Sequence, residues 1–340
     1  MFCSKISATF LGQSFHCGRS VCKKLADNRN SLCSLVNHNL IRLNQIKYSS
    51  SSAYVTRYGD FEHIQVTSPH DHVLHVELNR PEKRNSINRE MFREISNCFS
   101  EISVDQQCRV VVISGAGKMF CSGIDYMDLI SLMTSAVSGS DSGAREDVAA
   151  RAKFIRQLIV LLQNSFNSIS KCPKPVIGAI HNGCIGAGVD LITTTDIRIA
   201  SKDAYFCIKE TSYGMAADLG TLQRLPKIIG NQSVISELAF TGRDLSAAEA
   251  KEIGLVSNVY ENHQSCLDGA MEIAKKIASK SPVAVQGTKQ VLNYSREHSE
   301  KDGLEFIQIW NMCMLQSEDF AIASSAMATR SKDDPSFADF

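Results

Sequence analysis

From Tyr58 onward, short apolar runs alternate with longer stretches in which apolar residues recur every three or four positions. That alternation is the mark of strands joined by crossover helices. Residues 64–66 and 73–78 read as strands, the second with partial in-out alternation. Asn79-Arg80-Pro81 then turns the chain toward a helix over residues 86–103. There Ile87, Met91, Ile95, Phe99 and Ile102 share one face, and Ser86 or Asn88 is placed to cap the start. Residues 109–114 form a short buried strand, and a helix is expected over 148–169. After Pro173 and Pro175, residues 176–180 read as the next buried strand, followed by short strands at 196–200 and 204–207. Beyond residue 230 the pattern is mainly helical, over 232–240, 247–253, 266–278, 283–294 and 304–330. Residues 134–147, small and polar between two helical stretches, read as a mobile loop. The fold class is therefore α/β, built from parallel units.

Composition changes this picture mostly at the amino end. The chain has 340 residues, 44% of them hydrophobic, enough to bury a large core. Its formal charge is zero, yet residues 1–57 hold eight Lys or Arg and one acid, Asp27, which leaves 28 basic and 35 acidic residues in the remainder. An acidic body argues against nucleic-acid binding. Residues 1–55, rich in Arg, Lys, Ser and Asn and poor in acids, match a mitochondrial transit peptide, so the expected location is the mitochondrial matrix. The apolar runs of this leader are far too short to span a membrane. The carboxyl end, Ser336 to Phe340, lacks the Ser-Lys-Leu peroxisomal address. The chain contains twelve cysteines, and the eight outside the leader show no C-x-x-C pair. They read as small buried hydrophobes, and no His/Cys cluster has metal-ligand spacing, so no metal is assigned.

The candidate chemistry lies in three carboxylates set among glycines and apolar residues: Asp190, Glu210 and Asp218. A single Asp or Glu is usually a cap or a surface charge. Three in one apolar, glycine-rich stretch point to acid–base work, because burial and mutual repulsion spread their pKa values. Two glycine-rich segments accompany them, Phe120 to Tyr126 and Gly183 to Asp190. Each follows a strand and precedes a helical stretch, and so can present free backbone N–H groups to a developing oxyanion. Gly115-Ala-Gly117 fails as a dinucleotide fingerprint, since Phe120 occupies the third glycine position. No phosphate loop and no G-x-S-x-G elbow is present.

These segments, with residues 174–196 and 206–230, resemble the crotonase, or enoyl-CoA hydratase/isomerase, superfamily over residues 60–330. Within it they are most similar to the branch that converts 3,5-dienoyl-CoA to 2,4-dienoyl-CoA. The marks are Asp190 in Gly-Ala-Gly-Val-Asp, Glu210 in Ile-Lys-Glu, and Ala216-Ala-Asp218-Leu-Gly-Thr-Leu-Gln-Arg-Leu-Pro226. Gly230, the run from Ser281 to Gly287 and that from Trp310 to Gln316 match as well. The resemblance implies a spiral, ClpP-like fold of repeated β-β-α units with a C-terminal helical region. It divides the chain into a leader (1–55), a crotonase core (56–255), a helical trimerisation or lid region (256–330) and a tail (331–340).

The resemblance also implies roles. The N–H groups of Ile124 and Ala187 would hold the thioester oxygen, with Ser122, Gly123, Asp125 and Tyr126 around the thioester. Glu210 would take a proton from carbon 2, Asp218 would deliver one to carbon 6, and Asp190 would assist electrostatically. Arg80, Lys83 and Arg84, with Lys289 as a further cation, would meet the coenzyme A phosphates. Coenzyme A arrives with the substrate, and no separate cofactor is implied. The partners implied are an acyl-CoA and further copies of the chain, as a trimer or a dimer of trimers.

Sibling activities are the alternatives. A hydratase would use two glutamates where Asp190 and Glu210 stand, and a 3-enoyl-CoA isomerase would need one acid. A non-catalytic binding protein would need none. Ala187 replaces the glycine more usual in the family, and a positive φ there would cost about 1 kcal/mol.

Overall fold

The computed structural model describes residues 58, 61–138, 147–331 and 334–340, so the leader expected at residues 1–55 lies outside the described residues. Two sheets organise the chain. The larger is six-stranded, in the order β1 (Ile64–His70), β2 (Val73–Leu78), β3 (Val110–Gly115), β4 (Val176–Ile180), β6 (Ile197–Ser201), β9 (Asn258–Tyr260). Only the β1–β2 pair is antiparallel, and the rest run parallel. The smaller sheet joins β5 (Gly183–Ile185), β7 (Tyr205–Cys207) and β8 (Leu245–Ser246). Parallel pairing requires a crossover between neighbouring strands, and here the crossovers after β4 and β6 visit the smaller sheet before returning. Thus β4 is followed by β5, and β6 by β7. Single bridges at Ile87 to Ile124 and Cys121 to Cys184 repeat the step earlier in the chain. This is the expected spiral of β-β-α turns.

Strands β3 and β4 are buried along their whole length, which is why they read as continuous apolar runs. Helix α1 (Arg89–Val104) starts at Asn88, whose side chain accepts from the Met91 N–H, so Asn88 and not Ser86 is the cap. Helices α2 (Tyr126–Ser138) and α3 (Val148–Lys171) flank the segment expected to be a loop. Residues 134–138 therefore belong to a helix, while 139–146 lie outside the described residues.

Three short helices follow: α4 (Ala187–Ile192), α5 (Thr221–Ile228) and α6 (Gln232–Thr241). After α7 (Ala247–Glu252) the chain adds β9 to the large sheet. Helix α8 (His263–Ala278) then packs Cys266, Ala270, Ala274 and Ala278 on Val110, Val112, Ile177 and Ile199. This helix thus belongs to the central layer.

Past α9 (Pro282–Ser295), the single helix expected over 304–330 is instead two, α10 (Glu300–Met314) and α11 (Glu318–Thr329). Ser317 breaks the run by accepting the N–H of Phe320 as a new cap. The tail is tied back: Arg109 donates to the carbonyls of Ala278 at 3.1 Å and Phe337 at 2.7 Å, and pairs with Asp339. Seven of the described cysteines are buried as expected, and Cys313 is exposed.

Candidate active site

Two backbone donors form one wall. At the Ile87–Ile124 bridge, Ile87 N–H donates to Gly123 O and Asp125 N–H donates to Ile87 O, each at 2.8 Å. The alternation of a bridged strand then turns the N–H of Ile124 the opposite way, and among the described residues it has no partner. Ala187 opens α4, so its N–H is likewise unspent. The left-handed conformation falls on Gly186 (φ 51°) and not on Ala187, which is helical. The alanine methyl group therefore costs nothing there. A Cβ added to Gly123 would stand 3.1 Å from the Ile185 carbonyl oxygen and 3.9 Å from the Ala187 nitrogen, so the two donor segments lie side by side.

The three carboxylates line the same cavity, of about 290 Å³. Asp190, only 1% exposed, sits on α4 and accepts the Thr221 N–H on Oδ1 at 2.7 Å. Burial raises its pKa to about 6, against that hydrogen bond and the nearby Arg224 charge. Glu210 opens a 3-10 turn (Glu210–Tyr213) directly after β7. Its Oε1 lies 3.2 Å from where a Cβ on Gly186 would stand, and its Oε2 is buried without a partner among the described residues. Burial, then the charges of Asp190 and Asp218, push its pKa to about 7. Asp218 is half-buried and raised by burial, and its backbone carbonyl accepts from Gln163 Nε2 at 2.7 Å. A carboxyl group that titrates near neutrality is the condition for a base that can also release its proton.

Apart from Ser122, Lys209 and the tyrosines Tyr126 and Tyr213, the rest of the cavity is mainly aliphatic. Leu129 of α2 and Ile155, Leu158, Ile159 and Leu162 of α3 face the carboxylates. Sequence periodicity marks the α3 residues as an apolar face but does not separate a tunnel wall from plain core. At the mouth the rings of Tyr126 and Tyr213 stack at 5.6 Å. A second, open groove of about 490 Å³ shares Ser122, Ile124 and Tyr126 with the cavity and runs to Lys83.

The sequence-predicted cations part company here. Lys83 is exposed on the groove, whereas Arg84 is exposed but lines neither space. Arg80 is nearly buried, pairs with Asp125 at 3.2 Å and donates to Ser86 O at 2.6 Å. Lys289 is buried away from both spaces, in an ion pair with Asp196 at 2.7 Å. Among the described residues no group of His, Cys, Asp and Glu is arranged to hold a metal ion, and no helix is long and apolar enough to cross a membrane.

Comparison with known proteins agrees with this geometry. The enoyl-CoA hydratase/isomerase family profile matches residues 69–338. The chain is 53% identical over 275 residues to the mitochondrial Δ(3,5)-Δ(2,4)-dienoyl-CoA isomerase of Mus musculus, covering 81% of each chain. It is 44% identical to the peroxisomal Δ(3,5)-Δ(2,4)-dienoyl-CoA isomerase of Arabidopsis thaliana, covering 78% of this chain and 92% of the relative. The crystal structure of an enoyl-CoA hydratase from Bacillus anthracis superposes with a TM-score of 0.71 at 29% identity, over 82% of this chain and 99% of that one. Spiral topology, paired backbone donors and sequence similarity lead to one conclusion: the chain belongs to the enoyl-CoA hydratase/isomerase family.

Proposed function

We propose that this protein isomerises 3,5-dienoyl-CoA to 2,4-dienoyl-CoA. The observation that carries the reading is that Asp218 shares one aliphatic cavity with Glu210 and Asp190. A hydratase or a one-acid isomerase has no use for that third carboxylate. Relatives at 51–53% identity that carry the dienoyl-CoA isomerase name support the same assignment.

The thioester oxygen accepts from the N–H groups of Ile124 and Ala187. Glu210, as the carboxylate, takes a proton from carbon 2, and the electron pair of that C–H bond enters the conjugated system. The charge that develops is held on the thioester oxygen by two donors already in place, which need no reorganisation. Asp218, as the acid, gives its proton to carbon 6, and both double bonds end one carbon closer to the thioester. The cycle closes when Glu210 returns a proton to solvent and Asp218 regains one. Asp190, with its pKa near 6, is mostly ionised at neutral pH and keeps Glu210 basic through like-charge repulsion. Each proton transfer has its own carboxyl group, so this reading calls for no cofactor beyond the coenzyme A of the substrate.

Lys83, exposed on the open groove, is proposed to meet the coenzyme A phosphates. The mitochondrial matrix is the proposed location, supported by the leader composition and by the mitochondrial relatives. Exposed apolar residues on α10 and α11, among them Ile309 at 67% and Phe320 at 50%, support assembly with further copies, as a trimer or a pair of trimers. The test is ultraviolet absorbance with a 3,5-dienoyl-CoA beside a hydration assay on a 2-enoyl-CoA. Growth of the conjugated 2,4-dienoyl signal with little hydration is expected. Hydration without dienoyl conversion would overturn the reading.

A further inference from the structure

Arg224, in the first turn of α5, has its guanidinium spent on four acceptors from three pieces of chain around the site. Nη2 donates to Leu219 O at 2.6 Å and to Asp190 O at 3.4 Å, Nε to Thr193 Oγ1 at 3.1 Å, and Nη1 to Asn167 Oδ1 at 3.2 Å. Leu219 follows Asp218 directly. Asp190 and Thr193 are on or at the end of α4. Asn167 lies one turn beyond Gln163, which holds the Asp218 carbonyl. All four acceptors are carbonyl, hydroxyl or amide oxygens, so this cation is used as a bracket rather than as half of an ion pair.

Gly220 shows how closely the bracket is fitted. Its φ is 122°, and a Cβ there would stand 2.1 Å from Arg224 Nη2. The guanidinium thus lies against the residue that turns the chain from Asp218 into α5. A planar five-donor fork can satisfy acceptors in several directions at once, which a lysine ammonium on its flexible stem cannot reproduce.

We propose that Arg224 is a positioning residue that fixes the Asp218 segment relative to α4, and so governs delivery of the proton to carbon 6 and not its removal from carbon 2. The inference rests on the dienoyl-CoA isomerase reading. Glu210 is carried by the 3-10 turn Glu210–Tyr213, to which none of the four Arg224 bonds runs. Losing the bracket therefore separates the two half-reactions.

The experiment compares wild type with Arg224→Lys in two assays on 3,5-dienoyl-CoA: conversion followed by absorbance, and exchange of the carbon 2 hydrogen with deuterated solvent followed by NMR. Arg224→Lys is expected to lose conversion by about 100-fold, the scale of a misplaced group, through kcat rather than KM. Exchange at carbon 2 is expected to stay within about threefold of wild type. Asn167→Ala, which removes one anchor and leaves the arginine in place, shifts the ratio in the same direction by a smaller factor and serves if the lysine variant does not fold. Equal loss of exchange and conversion, or loss of neither, in the folded variants overturns the inference while leaving the functional reading intact. A wild-type protein that converts no 3,5-dienoyl-CoA overturns the functional reading, and the inference with it.

Discussion

The N–H of Thr221 meets Asp190 Oδ1 at 2.7 Å, so the helix that follows Asp218 begins on a carboxylate of the helix that Ala187 opens. Asn in place of Asp190 keeps an acceptor for that N–H but removes the charge. Because the Asp190 charge raises Glu210, Asp190→Asn is expected to move the acidic limb of kcat/KM below its wild-type position near pH 7. A pH–rate profile checks this, and an unmoved limb would show that Asp190 does not tune the base.

In the proposed mechanism Glu210 and Asp218 act at opposite ends of the diene, so their variants should differ in kind. Glu210→Gln is expected to lose both conversion and carbon 2 exchange, by about 10²- to 10⁴-fold, the usual contribution of a general base. Asp218→Asn is expected to lose conversion on the same scale while exchange persists. Deuterium incorporation into recovered substrate distinguishes the two.

Burial of Glu210 costs stability, with a definite sign. Unfolded, Glu210 titrates near 4.5, and in the fold near 7. Between those values the native state retains a proton that the unfolded state has released. Stability therefore falls as pH rises through this window, and the deficit is complete above it. At pH 8, Glu210→Gln is expected to be more stable than wild type by about 1–2 kcal/mol, allowing for solvent that reaches a partly exposed group. Urea unfolding at pH 8 and pH 4 measures it, and the difference should shrink at the lower pH.

Gly186 and Ala187 divide the backbone roles as their identities suggest, the glycine taking the positive φ and the alanine the helix. Gly186→Ala places a methyl group in a left-handed position, 3.2 Å from Glu210 Oε1. It is expected to cost about 1–2 kcal/mol of stability and to lower kcat about tenfold. Ala187→Gly, in ordinary helical geometry, should leave kcat within about twofold and cost no more than about 1 kcal/mol. Parallel kinetics and thermal unfolding of the two variants check the contrast.

Lys83→Ala should raise KM by about two- to fivefold, the scale of an exposed charge pair, with kcat unchanged. Arg84→Ala should change neither. Increasing salt should narrow the difference between Lys83→Ala and wild type.

How much of this was legible in the sequence depended on distance along the chain. The three carboxylates were legible because residue type and setting carried the signal, and the long helices because apolar spacing did. The break between α10 and α11 was not, because Met314 and Leu315 continue the apolar spacing and only Ser317 marks the stop. Strands β5, β8 and β9, of two or three residues, are too short for a period to show. Arg80 read as a free cation because its partner, Asp125, is 45 positions away. Arg224 was only one letter of a family motif until its four acceptors were brought around it by two different helices and a loop.

Three carboxylates around one apolar cavity also decide what is kept out. A free fatty acid would bring a further negative charge beside Asp190 and Glu210, whose charges already repel one another. The thioester, by contrast, presents a neutral carbonyl to two neutral backbone donors. Esterification is thus an electrical passport as well as a handle, because it removes the carboxylate charge before the acyl chain meets these acids.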